Sequence, residues 1–300
     1  ENLTLRASRS SSFSMPSMAQ MFSSDINLGS VRDFDGNSPF VRQAQIGNPN
    51  LKPATSKNLN IGLIFENQKH RLSIDYWNID YKNRIEAQSA QVILNTDPNG
   101  PSITRNSNGD LIGVTTTYFN EESTEVSGVD ISFNRLLASS EKFGNVSLSV
   151  NSTTLIEFLT PALGNEGSEI MINRVGKFNY DTNTHSLPKN RINAFLNWKY
   201  QDYDINFNSR YIDGYSNERL INSLGTSYGY SNSVDSFFVH DLSVKKLLIT
   251  NRGEIDIKLS IINVFDEAAP RLYDAPDFSF DTRVHDPRGR IIGISFEYRN

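Results

Sequence analysis

Between Lys189 and Tyr215 the chain reads KNRINAFLNWKYQDYDINFNSRYIDGY, with apolar residues at every second position on both sides of Gln201-Asp202. Folding this stretch back at a two-residue turn sets Tyr200 against Tyr203, Trp198 against Ile205, Leu196 against Phe207 and Ile192 against Tyr211, all on one face. The other face carries Lys199 opposite Asp204, Asn197 opposite Asn206 and Asn193 opposite Arg210, with Arg191 and Asn208 in the same register. One face is oily and the other wet. Two strands of about ten residues exceed the five or six usual in soluble sheets and match a tilted strand crossing a bilayer. Rings near the strand ends suit a membrane interface. Trp198, Tyr200, Tyr203, Ile205 and Phe207 are therefore expected to face lipid. Arg191, Asn193, Asn197, Lys199, Asp204, Asn206, Asn208 and Arg210 are expected to face a wet lumen.

Composition narrows the class. The chain has 300 residues, enough for one large β domain or two ordinary ones. Its net charge of -5 and lack of a basic block argue against a nucleic-acid partner. Without cysteine there is no disulfide framework, thiolate metal site or cysteine nucleophile. Mean hydropathy is -0.44, and no apolar run approaches the roughly eighteen residues of a spanning helix. A barrel wall is compatible with both facts, because its inward residues dilute the hydropathy. Glu1 opens directly into strand-like sequence with no signal peptide, so the chain is expected to be a piece of something longer.

In chain order, residues 2 to 9 alternate through Leu3, Leu5 and Ala7 and read as a first strand, and residues 10 to 55 read as a long loop. Alternation returns at Leu59, Ile61, Leu63 and Phe65, then at Leu72, Ile74 and Tyr76. A turn at Asn67-Gln68 would set Leu63 against Leu72, Ile61 against Ile74 and Leu59 against Tyr76, with Glu66 meeting Lys69 and Asn60 meeting Asp75. Residues 84 to 121 read as irregular, with a short strand at Leu111 to Tyr118. Further strands carry Val129, Ile131 and Phe133, then Val146, Leu148 and Val150, then the 189–215 hairpin. Leu242 and Val244, Ile255 to Ile261, and Ile292 to Tyr298 complete the set.

About ten strands result, and their connections alternate in length. Short reversals fall near 67, 140, 201 and 251, while long connections run through 10 to 55, 84 to 121, 159 to 188, 214 to 235 and 266 to 289. Short turns on one rim and long loops on the other are how an outer-membrane barrel is built. A soluble β-sandwich or β-helix also alternates, but it has no reason to keep every long loop at one end.

Particular motifs point further. NPNLKPATSKNLNIGLIF at Asn48 to Phe65 and LSIDYWNIDYKNRI at Leu72 to Ile85 resemble the "NPxLKPExSxNxxxG" and "DxWxIDxxNRI" segments of TonB-dependent outer-membrane receptors. TEVSGVDISF at Thr124, LSIINVFDEAAP at Leu259 and DPRGRIIGISFEYR at Asp286 are similar to three later segments of that family, in the family's order. The opening LTLRASRSSSFSMPSMAQMF resembles its "xRxSxSRSFRAPSxxxLF" strand. The resemblance implies an all-β, antiparallel transmembrane barrel of about twenty-two strands, of which residues 1–300 form a single partial domain of about ten C-terminal strands. It also implies partners: a plug domain and the TonB complex, both reached through parts this chain lacks, together with outer-membrane lipid and a small nutrient ligand. Asn300 departs from the aromatic residue that usually ends the family's chain.

No catalytic constellation is expected. His70, His185, His240 and His285 are dispersed without metal spacing, and His240 and Asp241 point to opposite faces of a strand. His185 and His285 lie in predicted loops and could meet. Asp274, Asp277, Asp281 and Asp286 crowd the last loop with Arg271, Arg283 and Arg288, which fits salt bridging or a loop calcium. No cofactor or resident metal is expected. Ligand contacts are expected from Tyr118, Phe119, Arg219, Tyr228 and Tyr230 in the long loops, since tyrosines stack on planar groups and donate hydrogen bonds; packing of loop on loop is the plainer reading of the same residues. The expected function is uptake of a scarce nutrient such as a siderophore or oligosaccharide across the bacterial outer membrane. The alternatives are a passive porin, an adhesin-like barrel or a soluble glycan-binding β protein.

Overall fold

Alternating apolar residues make strands here because each strand has one face to hide, and the same alternation sets the register between neighbours. The computed structural model describes residues 2–163, 169–179, 186–273 and 279–299. In order they form β1 (Asn2–Ser14), α1 (Met18–Phe22), β2 (Ser24–Ser30), β3 (Phe40–Ile46), β4 (Ala54–Glu66), β5 (His70–Ala87), α2 (Ala90–Thr96), β6 (Ile103–Arg105), β7 (Leu111–Ser140), β8 (Gly144–Leu163) and β9 (Glu169–Asn173). Then follow β10 (Asn190–Tyr200), β11 (Tyr203–Ile212), β12 (Tyr215–Ser216), α3 (Ser223–Ser227), β13 (Ser233–Val234), β14 (Phe237–Thr250), β15 (Gly253–Ile262) and β16 (Ile291–Arg299).

Ten of these make one wall in the order β1-β4-β5-β7-β8-β10-β11-β14-β15-β16. Every neighbouring pair in it is antiparallel. The β10–β11 hairpin has the expected register, from Tyr200 opposite Tyr203 up to Arg191 opposite Ile212. Gln201 takes the left-handed corner with φ of 52°. The expected polar residues share one face and the expected aromatic and aliphatic residues the other. Phe195, opposite Asn208, is an apolar intruder on the polar side. The apolar side stays uncovered, with Ile61, Ile131, Leu196, Trp198, Ile292 and Phe296 all exposed.

The β4–β5 hairpin departs from expectation by two residues. Phe65 faces Leu72, Leu63 faces Ile74, Ile61 faces Tyr76, Gly62 faces Asp75 and Glu66 faces Arg71. Asn67 is the reason: its Oδ1 accepts from the Lys69 and His70 amides, so Asn67 opens the turn and Gln68-Lys69 form its corner. A shift of two leaves every side chain on its expected face.

The long connections are not irregular throughout. Residues 10 to 55 contain the end of β1, α1 and the β2–β3 hairpin, and the strand expected at Leu111 to Tyr118 is the upper part of an unbroken β7. β3 lies parallel to that upper part, from Arg42 beside Gly113 to Ile46 beside Thr117. Helix α2, capped by Ser89 accepting from the Val92 amide, closes the module over Val31, Val41, Leu94, Leu111 and Val114. The 159 to 188 connection includes β9 paired back on β8. A second module packs Phe178, Tyr215, Val234 and Leu272 together. Both buried apolar clusters thus sit among the long connections, while the apolar face of the wall stays exposed. His185, Asp274, Asp277 and Asn300 lie outside the described residues.

Candidate ligand-binding vestibule

The polar face and the two loop modules meet at the long-loop rim, where several cavities open; another, of about 350 Å³, lies at the short-turn rim beside Asn67, His70 and Leu136. The largest, about 600 Å³, has a charged side from Arg84, Glu121 and Arg174 and an apolar side from Ile93, Phe119 and Ile172. Asn83, with φ of 55°, turns β5 just before Arg84. The Arg84 guanidinium donates to Glu121 Oε2 at 2.8 Å through Nε and sits 5.8 Å from the Phe158 ring centre. Thr124, fully buried, donates to the same carboxylate oxygen at 2.6 Å. Arg174 donates through Nε to Thr160 Oγ1 at 3.0 Å. These rigidly placed charges beside an apolar wall suit a ligand with both characters.

A second cavity of about 240 Å³ lies against the polar face at Arg191, Asn193 and Arg210, under Val284 and Asp286 of the last loop. Arg210 pairs with Asp241 at 3.2 Å, while Asp286 pairs with Arg288 at 2.7 Å. The Arg288 side-chain and backbone hydrogen bonds hold the Asp286 carboxyl at about 2, well below the usual range. Above this cavity a polar knot is buried: Tyr215 donates to Asp281 Oδ2 at 3.1 Å and lies 3.3 Å from His285 Nε2. Ser186 also donates to Asp281 Oδ2. Burial lowers the His285 imidazole to about 4, with nearby Arg191 adding to the effect and Asp281 opposing it. Burial, followed by the Asp281 charge, raises the Tyr215 phenol. Ser186 is bonded to the carboxylate rather than to the imidazole, so it is not activated as a nucleophile.

The expected ligand residues do not converge. Phe119 lines the first cavity; the carbonyl of Tyr118 next to it accepts from Asn48 Nδ2 at 2.9 Å, tying the Asn-Pro-Asn turn to β7. Arg219 lines a third cavity. Tyr228 is 64% exposed. Tyr230 packs edge-on to Tyr273 beneath the Arg271 guanidinium, 4.2 Å from the ring centre. Hydrogen bonds from Ser279 and then Arg271 lower its hydroxyl. Arg84 and Glu121, 37 positions apart, were not singled out from sequence; His285 and Asp281 were, but not their contacts with Tyr215 and Ser186, 70 and 95 positions away.

The sequence model for the TonB-dependent receptor-like β-barrel matches residues 1–264. The chain belongs to that family. Receptor structures agree in fold. The siderophore receptor PirA from Acinetobacter baumannii is 18% identical with a TM-score of 0.61, covering 99% of this chain and 39% of its own. A ferric enterobactin receptor mutant (PfeA) from Pseudomonas aeruginosa, in complex with enterobactin, is 16% identical with a TM-score of 0.63, over 99% and 38%. The copper transporter OprC gives 15%, 0.58, 99% and 37%. No curated protein matches the chain. The chain therefore spans under two fifths of the length of these receptors. Two motif glycines of this receptor barrel have steric causes. A Cβ at Gly62 would stand 1.9 Å from Asp75 Oδ1, and one at Gly128 would stand 2.4 Å from Trp77 Cζ2.

Proposed function

We propose that this chain is the C-terminal barrel portion of an outer-membrane receptor that takes up a scarce nutrient, a siderophore, oligosaccharide or similar compound, with energy delivered by the TonB complex. The observation that carries the proposal is the placement of both packed loop modules, with the largest cavity beside them, at one rim of a two-faced wall. Such a wall suits lipid on its apolar face, and a plug or wet lumen on the face that holds Arg191, Asn193, Asn197, Lys199, Asp204, Asn206, Asn208 and Arg210. The vestibule favours binding and gated passage over bond chemistry, and a passive pore would have little use for a built vestibule.

Fractionation tests the location: an antibody to residues 215–235 should label intact cells and an outer-membrane band more than twice the mass of this chain. Uptake that survives loss of TonB would overturn the energy coupling, and a band in the soluble fraction would overturn the receptor reading altogether.

A further inference from the structure

The β4–β5 and β7–β8 hairpins turn back at different levels, and the step between them is the groove of about 350 Å³ at the short-turn rim. The last bond across the β5–β7 boundary runs from the Leu136 amide to the Lys69 carbonyl at 3.0 Å, whereas β7 continues beside β8 as far as Ser140 opposite Gly144. Lys69, His70, Arg71 and Arg135 all line the step, and no carboxylate does. Glu66 stands opposite Arg71 in the β4–β5 ladder. No ion pair joins Lys69, His70, Arg71 or Arg135 to an acid among the described residues. Lys69 is fixed in the turn by its amide, which donates to Asn67 Oδ1 at 2.9 Å. The groove borders the apolar face of the wall. His70 and Arg135 form the first pair of the β5–β7 ladder, and two residues further along Leu72 faces Phe133, then Ile74 faces Ile131. Alternation puts these pairs on one side. Arg135 also faces Leu148 in the next ladder, and Leu136 and Leu137 are exposed at the step.

We infer that this step is a headgroup site for an anionic phospholipid, in which Arg135, His70 and Lys69 hold the phosphate while the acyl chains lie along Leu72, Phe133 and Leu148. A guanidinium meets a phosphate through two parallel N–H bonds, an ammonium adds a point charge, and an imidazole adds a further donor. Long cationic side chains reach headgroup level from an apolar wall by laying their stems along it, and basic residues at a bilayer surface attract anionic lipid. An acidic polypeptide would match the charges but leave the oily surface beside them unused. A lipid uses both. The inference rests on the receptor reading for the leaflet it assigns, since the short-turn rim of such a barrel is the periplasmic one.

The test uses the full receptor, purified in detergent and stripped of lipid, then titrated with dioleoyl phosphatidylglycerol or dioleoyl phosphatidylcholine and read by native mass spectrometry. The two lipids share acyl chains and a phosphate and differ in net charge. Phosphatidylglycerol is expected to bind at least about tenfold more tightly. Arg135→Gln and Lys69→Gln should each weaken it about fivefold and leave phosphatidylcholine within about twofold. Lys57→Gln, toward the other end of β4, should leave both lipids unchanged. Equal affinity of the unmodified receptor for the two lipids overturns the proposal without any reliance on a variant's folding. So does phosphatidylglycerol binding that survives both substitutions. Displacement of phosphatidylglycerol by equimolar inorganic phosphate would make the step a free-phosphate site, and displacement by an equimolar Glu-Val-Glu-Val peptide would give it to a protein partner; either result also overturns the lipid assignment. Cellular location and TonB dependence are read separately, so failure of the receptor reading is distinguishable from failure of the headgroup site.

Discussion

Arg6 and Asp75 lie on strands that are not neighbours, yet their side chains form a two-bond ion pair across β4, Nε to Oδ1 at 2.8 Å and Nη2 to Oδ2 at 2.6 Å. Gly62 stands between them, opposite Arg6 in one ladder and opposite Asp75 in the other. Any side chain there would occupy the bridge. Gly62→Val is therefore expected to lower the urea midpoint of the detergent-solubilised receptor. Gly293→Ala, whose added carbon meets nothing within 4 Å, should leave it unchanged or slightly raised. Equal midpoints for the two variants would refute the bridge as a stabilising element.

The buried His285 gives the second loop module a pH dependence with a definite sign. Its imidazole falls from the ordinary 6.5 to about 4 in the folded chain. Between those values the unfolded segment takes up a proton that the folded one refuses. Module stability is then full above pH 6.5 and declines as pH falls toward 4, by on the order of 3 kcal/mol at about 1.4 kcal/mol per unit. Limited proteolysis within residues 214–236 should accelerate across that window. In His285→Gln the acceleration should vanish, and a variant that keeps it would assign the effect to another group.

Trp77 covers Gly128 on the polar side of the wall, and the Thr154 carbonyl lies only 2.8 Å from where a Cβ would sit. The backbone neighbour cannot swing away, so Gly128→Ala should cost about 1–3 kcal/mol by overpacking. Truncating the neighbour as well relieves only half of the clash: Gly128→Ala with Trp77→Ala should recover part of the loss in a urea titration, and full recovery would show that the carbonyl is no obstacle.

The wall was legible because its information is local. In the β10–β11 hairpin the alternation is broken by Phe195 on the polar face and Ser209 on the apolar one, and Gln201-Asp202 is the single turn, so one turn position fixes all of the pairs. In β4–β5 the same logic placed each residue on its proper face but two positions out of register, since the Asx bonds from Asn67 to the Lys69 and His70 amides leave no trace in the hydrophobic pattern. The loops were least legible. β3 forms its parallel ladder with a part of β7 about seventy positions away, and its alternation is too short to announce a strand. The vestibule follows the loops: Arg32 and Arg219 look like isolated surface cations until the fold brings them to one cavity, and Asp281 looks like one acid in a crowd until Ser186 and Tyr215 close on it.

The two-faced wall also predicts which substitutions a bilayer will reject. Phe207 and Asn206 are adjacent in β11, near the middle of a strand of bilayer length, and they face opposite ways: Phe207 lies against Leu196 and Leu242, and Asn206 against Asn197 and Ser243. A lysine at Phe207 would carry its ammonium into hydrocarbon, which costs about 2–4 kcal/mol near the midplane of a barrel. A lysine at Asn206 would join Asp204, whose Oδ1 already accepts from Asn197 and Asn206, on the wet side. Folding into lipid vesicles followed by urea titration should therefore show Phe207→Lys strongly destabilised and Asn206→Lys close to the parent. Similar losses in both would mean that neither face meets lipid, and the membrane-spanning assignment of this wall would have to be given up.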